Sequence, residues 1–265
     1  ETLIIPLYAR KVCSELYPNL YRDETAVRLI DEIDYDFSEA EKNSRGLMQR
    51  FGSLEVAMRQ NDLAFEVRDY LKSHPHAAVI NLGCGLDSTG RSCDNGSCKI
   101  YNLDFPDLIA VRNELLPAWE REENIPCDLN NTEWFRKIDS SNGAVFFSSG
   151  VFYYFLTEQV KALVQQMADA FPGSVLVFDA ANRTAVKMIA KTWLKSAKIK
   201  DVGAYFAVSD APQEISAWDS RLQVTSRGYM LGYTDLKDPS ISGFFRLLAK
   251  VGDGMMKMQI VKINF

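Results

Sequence analysis

The sequence predicts an α/β fold in which helices flank a doubly wound, mostly parallel sheet of seven strands. Two observations carry this prediction. Beyond Pro75 the chain holds short, nearly continuous apolar runs, which are typical of strands covered on both faces. The runs at 143–149 and 174–179 are separated by an amphipathic helical pattern, which is the order found in a right-handed crossover between parallel strands.

The region before Pro75 is predicted to be helical. Asp23 is a suitable N-cap for one helix. Apolar residues at three- and four-residue spacing indicate a second helix over 47–58 and a further one over 63–71. Pro75 disfavours the helical conformation of the residue before it, so we expect the helical region to end there.

Segments rich in apolar residues and bounded by turn residues are predicted to be the strands. These segments are 77–82, 99–104, 125–129, 143–149, 174–179, 222–233 and 256–265. The third should be short, because Pro126 has no amide hydrogen for a ladder bond. The helix after the fourth strand is expected to have Thr157 as its N-cap and to end at 172–173, and 182–220 is predicted to hold helices and loops.

Composition and charge limit the function classes. The chain has 265 residues, of which 47% are hydrophobic and 25% charged, enough for one large core. We therefore expect a helical lid subdomain at 1–75 followed by one α/β domain at 76–265. A net charge of −5 without a basic stripe argues against nucleic acid as a partner.

No apolar run is long enough to span a bilayer, and no secretory leader is recognisable, so we expect no membrane partner. Five cysteines, an odd number in a long chain, favour free thiols in a reducing cytoplasm. Their spacing does not indicate a metal site. The sequence leaves the oligomeric state undetermined.

The most informative motif is the turn Gly83-Cys84-Gly85 directly after the first predicted strand. Glycines at this place allow a tight turn and a close approach of the backbone to a ligand. Asp104 closes the next strand, and an acidic residue about 20 residues beyond such a turn can bind ribose hydroxyls. A dinucleotide fingerprint would have a third small residue where Ser88 stands. A cofactor that contains adenosine but no phosphates fits the motif better.

The stretches Asn-Leu-Gly-Cys-Gly-Leu-Asp at 81–87 and Tyr-Asn-Leu-Asp-Phe-Pro at 101–106 resemble the leucine carboxyl methyltransferase family. They are most similar to its bacterial branch, which includes tetracenomycin-type polyketide O-methyltransferases. A Tyr-Pro-Asn segment at 17–19, typical of a helix start in the family, Gly-Val-Phe-Tyr-Tyr at 150–154 and Phe-Pro-Gly at 171–173 extend the likeness. The resemblance implies a class I methyltransferase-like sheet, S-adenosylmethionine as cofactor and a small-molecule acceptor.

The resemblance also implies roles for residues around the methionine part of the cofactor. Gly83 and Gly85 would lie against that part, and Gly150 would lie near the sulfonium. Arg59 would pair with the cofactor carboxylate, for which a guanidinium fork is well suited. A purely structural interpretation stays open for Arg59, which could instead pair with Glu55 one helical turn away.

For the adenosine part, the resemblance implies that Asp104 holds the ribose and that Phe105 lies beside the adenine. Asp128 and Leu129 would border the adenine ring, with Asp128 accepting a hydrogen bond from its exocyclic amine. Two alternatives remain at this stage. Asp104 could cap a helix, and Asp128 could be a turn residue.

The expected reaction is O-methylation of a small molecule such as a polyketide-like metabolite. A carboxylate acceptor needs no general base, so alignment of the reactants would supply most of the catalysis. A hydroxyl acceptor would benefit from a base, but the only histidines, His74 and His76, precede the first strand. We therefore favour a carboxylate, and a requirement for an enzyme group that titrates near neutrality would argue against it.

No catalytic residue is identified with certainty; Tyr153 and Tyr154 are candidates for positioning the acceptor, or for the pocket wall. Many relatives have a glutamate just before the glycine of Gly-Val-x-x-Tyr, where this chain has Ser149. This departure weakens a transfer of the protein-phosphatase methylating activity of one branch. An NAD(P)-dependent oxidoreductase and a non-catalytic protein that binds S-adenosylmethionine or S-adenosylhomocysteine are the alternatives.

Overall fold

The computed structural model describes residues 3–44, 46–189, 203–234 and 236–265, and seven strands within these ranges form one sheet. The strands are β1 (Ala78–Leu82), β2 (Lys99–Asp104), β3 (Glu122–Pro126), β4 (Ala144–Ser148), β5 (Val175–Ala180), β6 (Gln223–Gly228) and β7 (Gln259–Asn264). Their order is β3-β2-β1-β4-β5-β7-β6. β1 to β5 run parallel, and β7 is antiparallel to both β5 and β6. This confirms the predicted doubly wound, mostly parallel sheet.

Helices cover both faces of the sheet. The α-helices are α1 (Ile4–Leu16), α2 (Glu24–Glu32), α3 (Ser38–Ser44), α4 (Leu47–Ser73), α5 (Thr89–Ser92), α6 (Pro106–Leu115), α7 (Thr157–Ala170), α8 (Arg183–Ile189), α9 (Ala211–Ser216) and α10 (Gly243–Gly254). Two 3₁₀ helices lie at Thr132–Lys137 and Phe152–Tyr154. Within the region 182–220 that was predicted to hold helices and loops, residues 190–202 lie outside the described part of the chain.

The segments predicted as two helices over 47–71 form one continuous helix, α4, of 27 residues. The two apolar patterns lie on the same side of α4, where Leu54 and Val67 are buried with Val145 and Val177 of the sheet. Because both halves bury their apolar residues on one face of the sheet, packing keeps the helix continuous. The end of α4 lies beside the start of β1, so its first half reaches the edge where the parallel strands end.

The opposite face of the sheet is covered by α7. Val160, Val164 and Met167 of this helix are buried in a cluster that also contains Phe146 and Phe178 of the sheet. This is the crossover helix that the apolar pattern between β4 and β5 predicted. Since both faces are covered, β1 and β4 are buried along their whole length, as a central parallel strand requires.

Three local predictions about the helices differ in outcome. Asp23 caps α2 as predicted, its carboxylate accepting a hydrogen bond of 2.8 Å from the amide of Ala26. Thr157 is wrong as the N-cap of α7, because Leu156 takes that position and its amide donates to the side chain of Gln159. The Tyr-Pro-Asn segment at 17–19 ends α1 rather than starting a helix, since Tyr17 is the C-cap.

Two strands differ from their predicted bounds. β3 begins earlier than expected and ends at Pro126, where an edge strand tolerates a residue without an amide hydrogen. β6 ends at Gly228, whose carbonyl accepts a hydrogen bond of 2.8 Å from the amide of Gly232 as the chain turns. Among the described residues, no helix combines the length and apolar character needed to cross a membrane.

Candidate functional site

The turn after β1 needs its two glycines for both conformation and space. Gly83 has a φ of +71° and Gly85 a φ of +44°, a region that side chains with a β-carbon rarely adopt. A β-carbon on Gly83 would lie 2.5 Å from Cγ2 of Val151, and one on Gly85 would lie 2.6 Å from Cδ2 of Leu3. The turn is therefore packed between the start of α1 and the loop after β4.

Replacement of Gly83 by alanine is expected to destabilise the fold by about 2–4 kcal/mol, since backbone strain and a clash with Val151 act together. Gly96 is the matched control, because its φ is +83° and nothing lies within 4 Å of an added β-carbon. Gly96→Ala should lower the free energy of unfolding by only about 1 kcal/mol, because backbone strain is its only cost. Urea denaturation of both variants measures the difference. Equal losses of stability would show that the packing around Gly83 adds nothing.

Asp104 joins the end of β2 to the glycine turn. Its Oδ2 accepts a hydrogen bond of 2.7 Å from the amide of Gly85, and its Oδ1 accepts one of 2.8 Å from the amide of Phe105. Burial raises the pKa of Asp104, while these hydrogen bonds and Arg112 act in the opposite direction. Asp104 does not cap α6, whose N-cap is Phe105. Each carboxylate oxygen keeps a lone pair for a further donor such as a hydroxyl.

Arg112 supports the turn, and sequence reasoning missed it. Its side chain is almost completely buried, and its Nη1 donates hydrogen bonds of 2.8 Å to the carbonyls of Gly85 and Asp87. Arg10 of α1 donates one of 3.0 Å to the carbonyl of Leu86. Carbonyls point in many directions in a turn, so no sequence spacing could have paired these arginines with them.

Arg59 of α4 lies at the same edge of the sheet, at the loop after β4. Its Nη1 is 3.1 Å from Oδ2 of Asp179 on β5, so its partner is Asp179 and not Glu55. The amide of Gly150 donates a hydrogen bond of 2.6 Å to the other oxygen of Asp179. Gly150 has a φ of +70°, and a β-carbon there would lie 3.0 Å from Nη1 of Arg59. These contacts bring Arg59 and Gly150 together at the loop after β4.

Asp179 and Ser149 complete this part of the site. The Asp179 side chain is only 2% exposed, and sequence reasoning missed it because it ends a strand far along the chain. Ser149 stands where the family resemblance implies a glutamate, and its Oγ is buried without a hydrogen-bond partner in the described part of the chain. The carboxylate beside Arg59 therefore comes from β5 and not from residue 149.

Tyr153 and Tyr154 follow Gly150 in a 3₁₀ helix. Tyr153 is buried beside Asp179, and burial raises its pKa well above its usual value. Tyr154 is partly exposed, and burial also raises its pKa. Both phenols are therefore neutral near physiological pH, so they can donate hydrogen bonds but are not suited to accept a proton.

Phe105, Asp128 and Leu129 lie along the end of the sheet next to Asp104. The Phe105 ring is 50% exposed, whereas Leu129 is buried. Asp128 is an exposed turn residue whose Oδ1 accepts a hydrogen bond of 2.9 Å from the amide of Asn130. A cavity of about 300 Å³ opens beside Leu129 and is also lined by Gln159 of α7.

Comparison with known sequences finds one family. The model of the leucine carboxyl methyltransferase family matches residues 7–168. The tetracenomycin polyketide synthesis O-methyltransferase TcmP of Streptomyces glaucescens is 26% identical over 181 residues, which cover 68% of this chain. The match spans 65% of the length of that relative.

Solved structures share the fold at low sequence identity. A putative methyltransferase from Thermobifida fusca superposes with a TM-score of 0.57 and 18% identity, over 96% of this chain and 93% of its own. A protein of the duf574 family from Streptomyces avermitilis gives a TM-score of 0.60 and 12% identity, over 97% and 96% of the two chains. At such identities the likeness establishes the fold alone.

Proposed function

The chain belongs to the leucine carboxyl methyltransferase family of S-adenosylmethionine-dependent enzymes, and we propose that it methylates an oxygen of a small molecule. The proposed acceptor oxygen belongs to a carboxylate or a hydroxyl group of a polyketide-like metabolite. The relative TcmP supports this choice, because it takes part in polyketide synthesis. One observation carries the proposal. The glycine turn, Asp104 and the Arg59–Gly150 contact all lie at the edge of the sheet where the parallel strands end, the usual ligand site of such sheets.

The residues at this edge fit the cofactor. Nε of Arg59 is buried without a hydrogen-bond partner among the described residues, so the guanidinium has a donor left for the cofactor carboxylate. Gly83 and Gly85 are proposed to face the methionine part with their backbone, while Val151 and Leu3 fill the places where β-carbons would stand. Asp104 has lone pairs free for the ribose hydroxyls. When bound, the cofactor supplies a methyl group on a positively charged sulfur.

For the adenine, we propose Phe105 and Leu129 as apolar neighbours of the ring. Asp128 would accept from the exocyclic amine after release from its turn with Asn130. The half-exposed ring of Phe105 supports this placement, since an exposed aromatic side chain is available for stacking. We propose that Gly150 lies near the sulfur, since it contacts Arg59, the proposed partner of the cofactor carboxylate.

The protein itself mainly positions the reactants and excludes water. Asp179 holds the guanidinium of Arg59 in place, so little side-chain freedom is lost when the cofactor binds. Tyr153 and Tyr154, both neutral, are proposed to orient the acceptor. Alignment of this kind supplies a large part of the rate in displacement reactions.

We propose that the N-terminal helices form the lid of the site. Leu3, at the start of α1, already lies over Gly85. α1 and α2 pack on each other through Leu7 and Leu29, and this cluster includes Leu86 next to the glycine turn. A lid in this position would cover the cofactor and border the acceptor. We expect a cytoplasmic location, in keeping with five free cysteines.

The experiment that tests the proposal is calorimetric titration with S-adenosylmethionine and S-adenosylhomocysteine. Asp104→Ala should weaken the binding of both by about 10- to 100-fold, because charged hydrogen bonds to the ribose are lost. Asp107→Ala is the matched control, since Asp107 is an exposed carboxylate in the first turn of α6. Thermal unfolding of each variant separates loss of binding from loss of fold. If the wild-type protein binds neither compound, the proposal is wrong, and titration with reduced nicotinamide cofactors would test the oxidoreductase alternative.

A further inference from the structure

Gln60 of α4 is a buried polar residue that the proposed roles leave unused. Its side chain is only 5% exposed, and its Nε2 donates a hydrogen bond of 2.8 Å to Oδ1 of Asp87. Its Oε1 is buried and has no hydrogen-bond partner among the described residues. Buried acceptors in proteins are normally paired, so this oxygen is suited to a donor on a bound molecule.

Asp87 fixes the orientation of the Gln60 amide. It lies two residues beyond the glycine turn, and its carboxylate also accepts hydrogen bonds from Arg10, Asn81 and Thr89. A carboxylate that accepts from all its neighbours needs a donor and not an acceptor from Gln60, so Nε2 faces Asp87 and Oε1 points away from it. The bond to a charged acceptor also polarises the amide, which strengthens Oε1 as an acceptor.

Ser149, directly after β4, faces the same helix as Gln60 does the sheet. Phe147 of β4 is buried in the cluster that α4 forms with the sheet, and side chains alternate between the two faces along a strand. The side chain two residues later, that of Ser149, therefore also points toward α4. β5 follows this rule, because Val177 is buried in the same cluster and Asp179, two residues later, bonds to α4.

Gln60, Ser149 and Arg59 form a row along the end of the sheet. Gln60 bonds to Asp87, whose other oxygen accepts from Asn81 of β1. Ser149 follows β4, and Arg59 bonds to β5. These three strands are adjacent, and since neighbouring strands lie about 4.8 Å apart, the row is about 10 Å long. It holds three buried polar atoms without partners in the described ranges, namely Oε1 of Gln60, Oγ of Ser149 and Nε of Arg59.

The three atoms differ in what they can bind. Nε of Arg59 only donates, so it suits a carboxylate. Oε1 of Gln60 only accepts, so it suits a donor, and the hydroxyl of Ser149 can do both. The proposed cofactor ends in an α-amino acid, which carries a carboxylate and an ammonium group on one carbon. An ammonium group has three donors and no acceptor, so it is complementary to Gln60 and Ser149 and not to Arg59.

We propose that Gln60 binds the ammonium group of the cofactor through Oε1, and that Oγ of Ser149 accepts a second hydrogen bond from it. Arg59 holds the carboxylate on the same carbon. This inference rests on the proposed function and adds two residues to its cofactor site. Gln60 thereby makes the protein selective for a ligand that ends in an amino acid over one that lacks the ammonium group.

The test compares two ligands by calorimetric titration, S-adenosylhomocysteine and its analogue with a hydroxyl in place of the ammonium group. The wild type should bind S-adenosylhomocysteine about 10- to 100-fold more tightly, because hydrogen bonds from a charged donor are the stronger ones. Gln60→Met keeps the length of the side chain but removes the acceptor, so this preference should fall to within about threefold. A loss of affinity that both ligands share reports only the missing bond to Asp87.

Ser149→Ala leaves Asp87 and its partners untouched and should reduce the preference by about 3- to 10-fold. Gln49→Met, at an exposed glutamine of α4, is the matched control and should keep the preference of the wild type. Thermal unfolding shows whether each variant is folded.

Three results overturn the inference: equal affinity of the wild type for the two ligands, an unchanged preference in Gln60→Met, or an unchanged preference in Ser149→Ala. The last of these decides the matter if Gln60→Met does not fold. Failure of the proposed function is a different result, in which the wild type binds neither S-adenosylmethionine nor S-adenosylhomocysteine.

Discussion

Replacement of Arg59 by methionine is expected to destabilise the protein by about 3–5 kcal/mol and to abolish S-adenosylmethionine binding. The protein loses stability because the Asp179 side chain is only 2% exposed and Arg59 is the positively charged residue that pairs with it. Without that cation a carboxylate stays buried and unpaired. Urea denaturation and calorimetric titration measure the two effects.

The double variant Arg59→Met with Asp179→Asn separates these effects. Neutralising Asp179 removes the unpaired charge, so most of the lost stability should return. Binding should not return, because the guanidinium is still missing. Arg68→Met is the control on the same helix, since Arg68 is exposed and, among the described residues, forms hydrogen bonds only with Ser92. A single variant as stable as the wild type would show that the Arg59–Asp179 pair contributes no net stability.

Replacement of Asp62 by asparagine is expected to stabilise the protein in mildly alkaline solution and to leave it unchanged in acid. Asp62 lies in the middle of α4, is 3% exposed, and its Oδ2 has no hydrogen-bond partner among the described residues. Burial raises the pKa of Asp62 to about 9, and the carboxylates of Asp253 and Glu66 add to the shift. Arg227 acts in the opposite direction.

The sign follows from proton linkage. In the unfolded chain an aspartate loses its proton near a pKa of about 3.9, whereas folded Asp62 keeps it up to the raised value. The stability contributed by the proton is complete below the unfolded pKa, is lost progressively as the pH rises above that value, and is gone above the folded pKa. Asparagine does not titrate, so Asp62→Asn should gain on the order of 3 kcal/mol over the wild type near pH 8.

Unfolding midpoints of both proteins at about pH 4 and about pH 8 check this expectation. Asp69→Asn, at an exposed position of the same helix, is the control and should behave like the wild type at both values. If the unfolding midpoints of Asp62→Asn and the wild type differ by the same amount in acid and in alkali, Asp62 is not held protonated in the folded protein.

The sequence was sufficient for the parts of the fold that depend on neighbouring residues. Apolar runs located β1, β2, β4 and β5, because strands covered on both faces must be apolar along their length. The turn glycines Gly83 and Gly85 were recognisable because a tight turn after a strand has few other solutions. Bounds at the sheet edges, where burial is weaker, were less well predicted, as β3 and β6 show.

The family was also recognisable from the sequence, since its motifs are local. The match to residues 7–168 confirms the resemblance drawn from the stretches at 81–87 and 101–106. The implied roles of Asp104, Arg59 and Gly150 remain proposals, but the structure places these residues at one edge of the sheet.

The sequence by itself determined the succession of the strands along the chain, the crossover helix between β4 and β5, the glycine turn and the family, because each depends on short-range patterns of apolar residues and glycines. Only the tertiary structure decided which charges meet. Arg59 pairs with Asp179, which lies 120 residues away, and not with Glu55 one turn away. Desolvation and charge pairing are set by groups that the fold brings together, and local spacing carries no information about them.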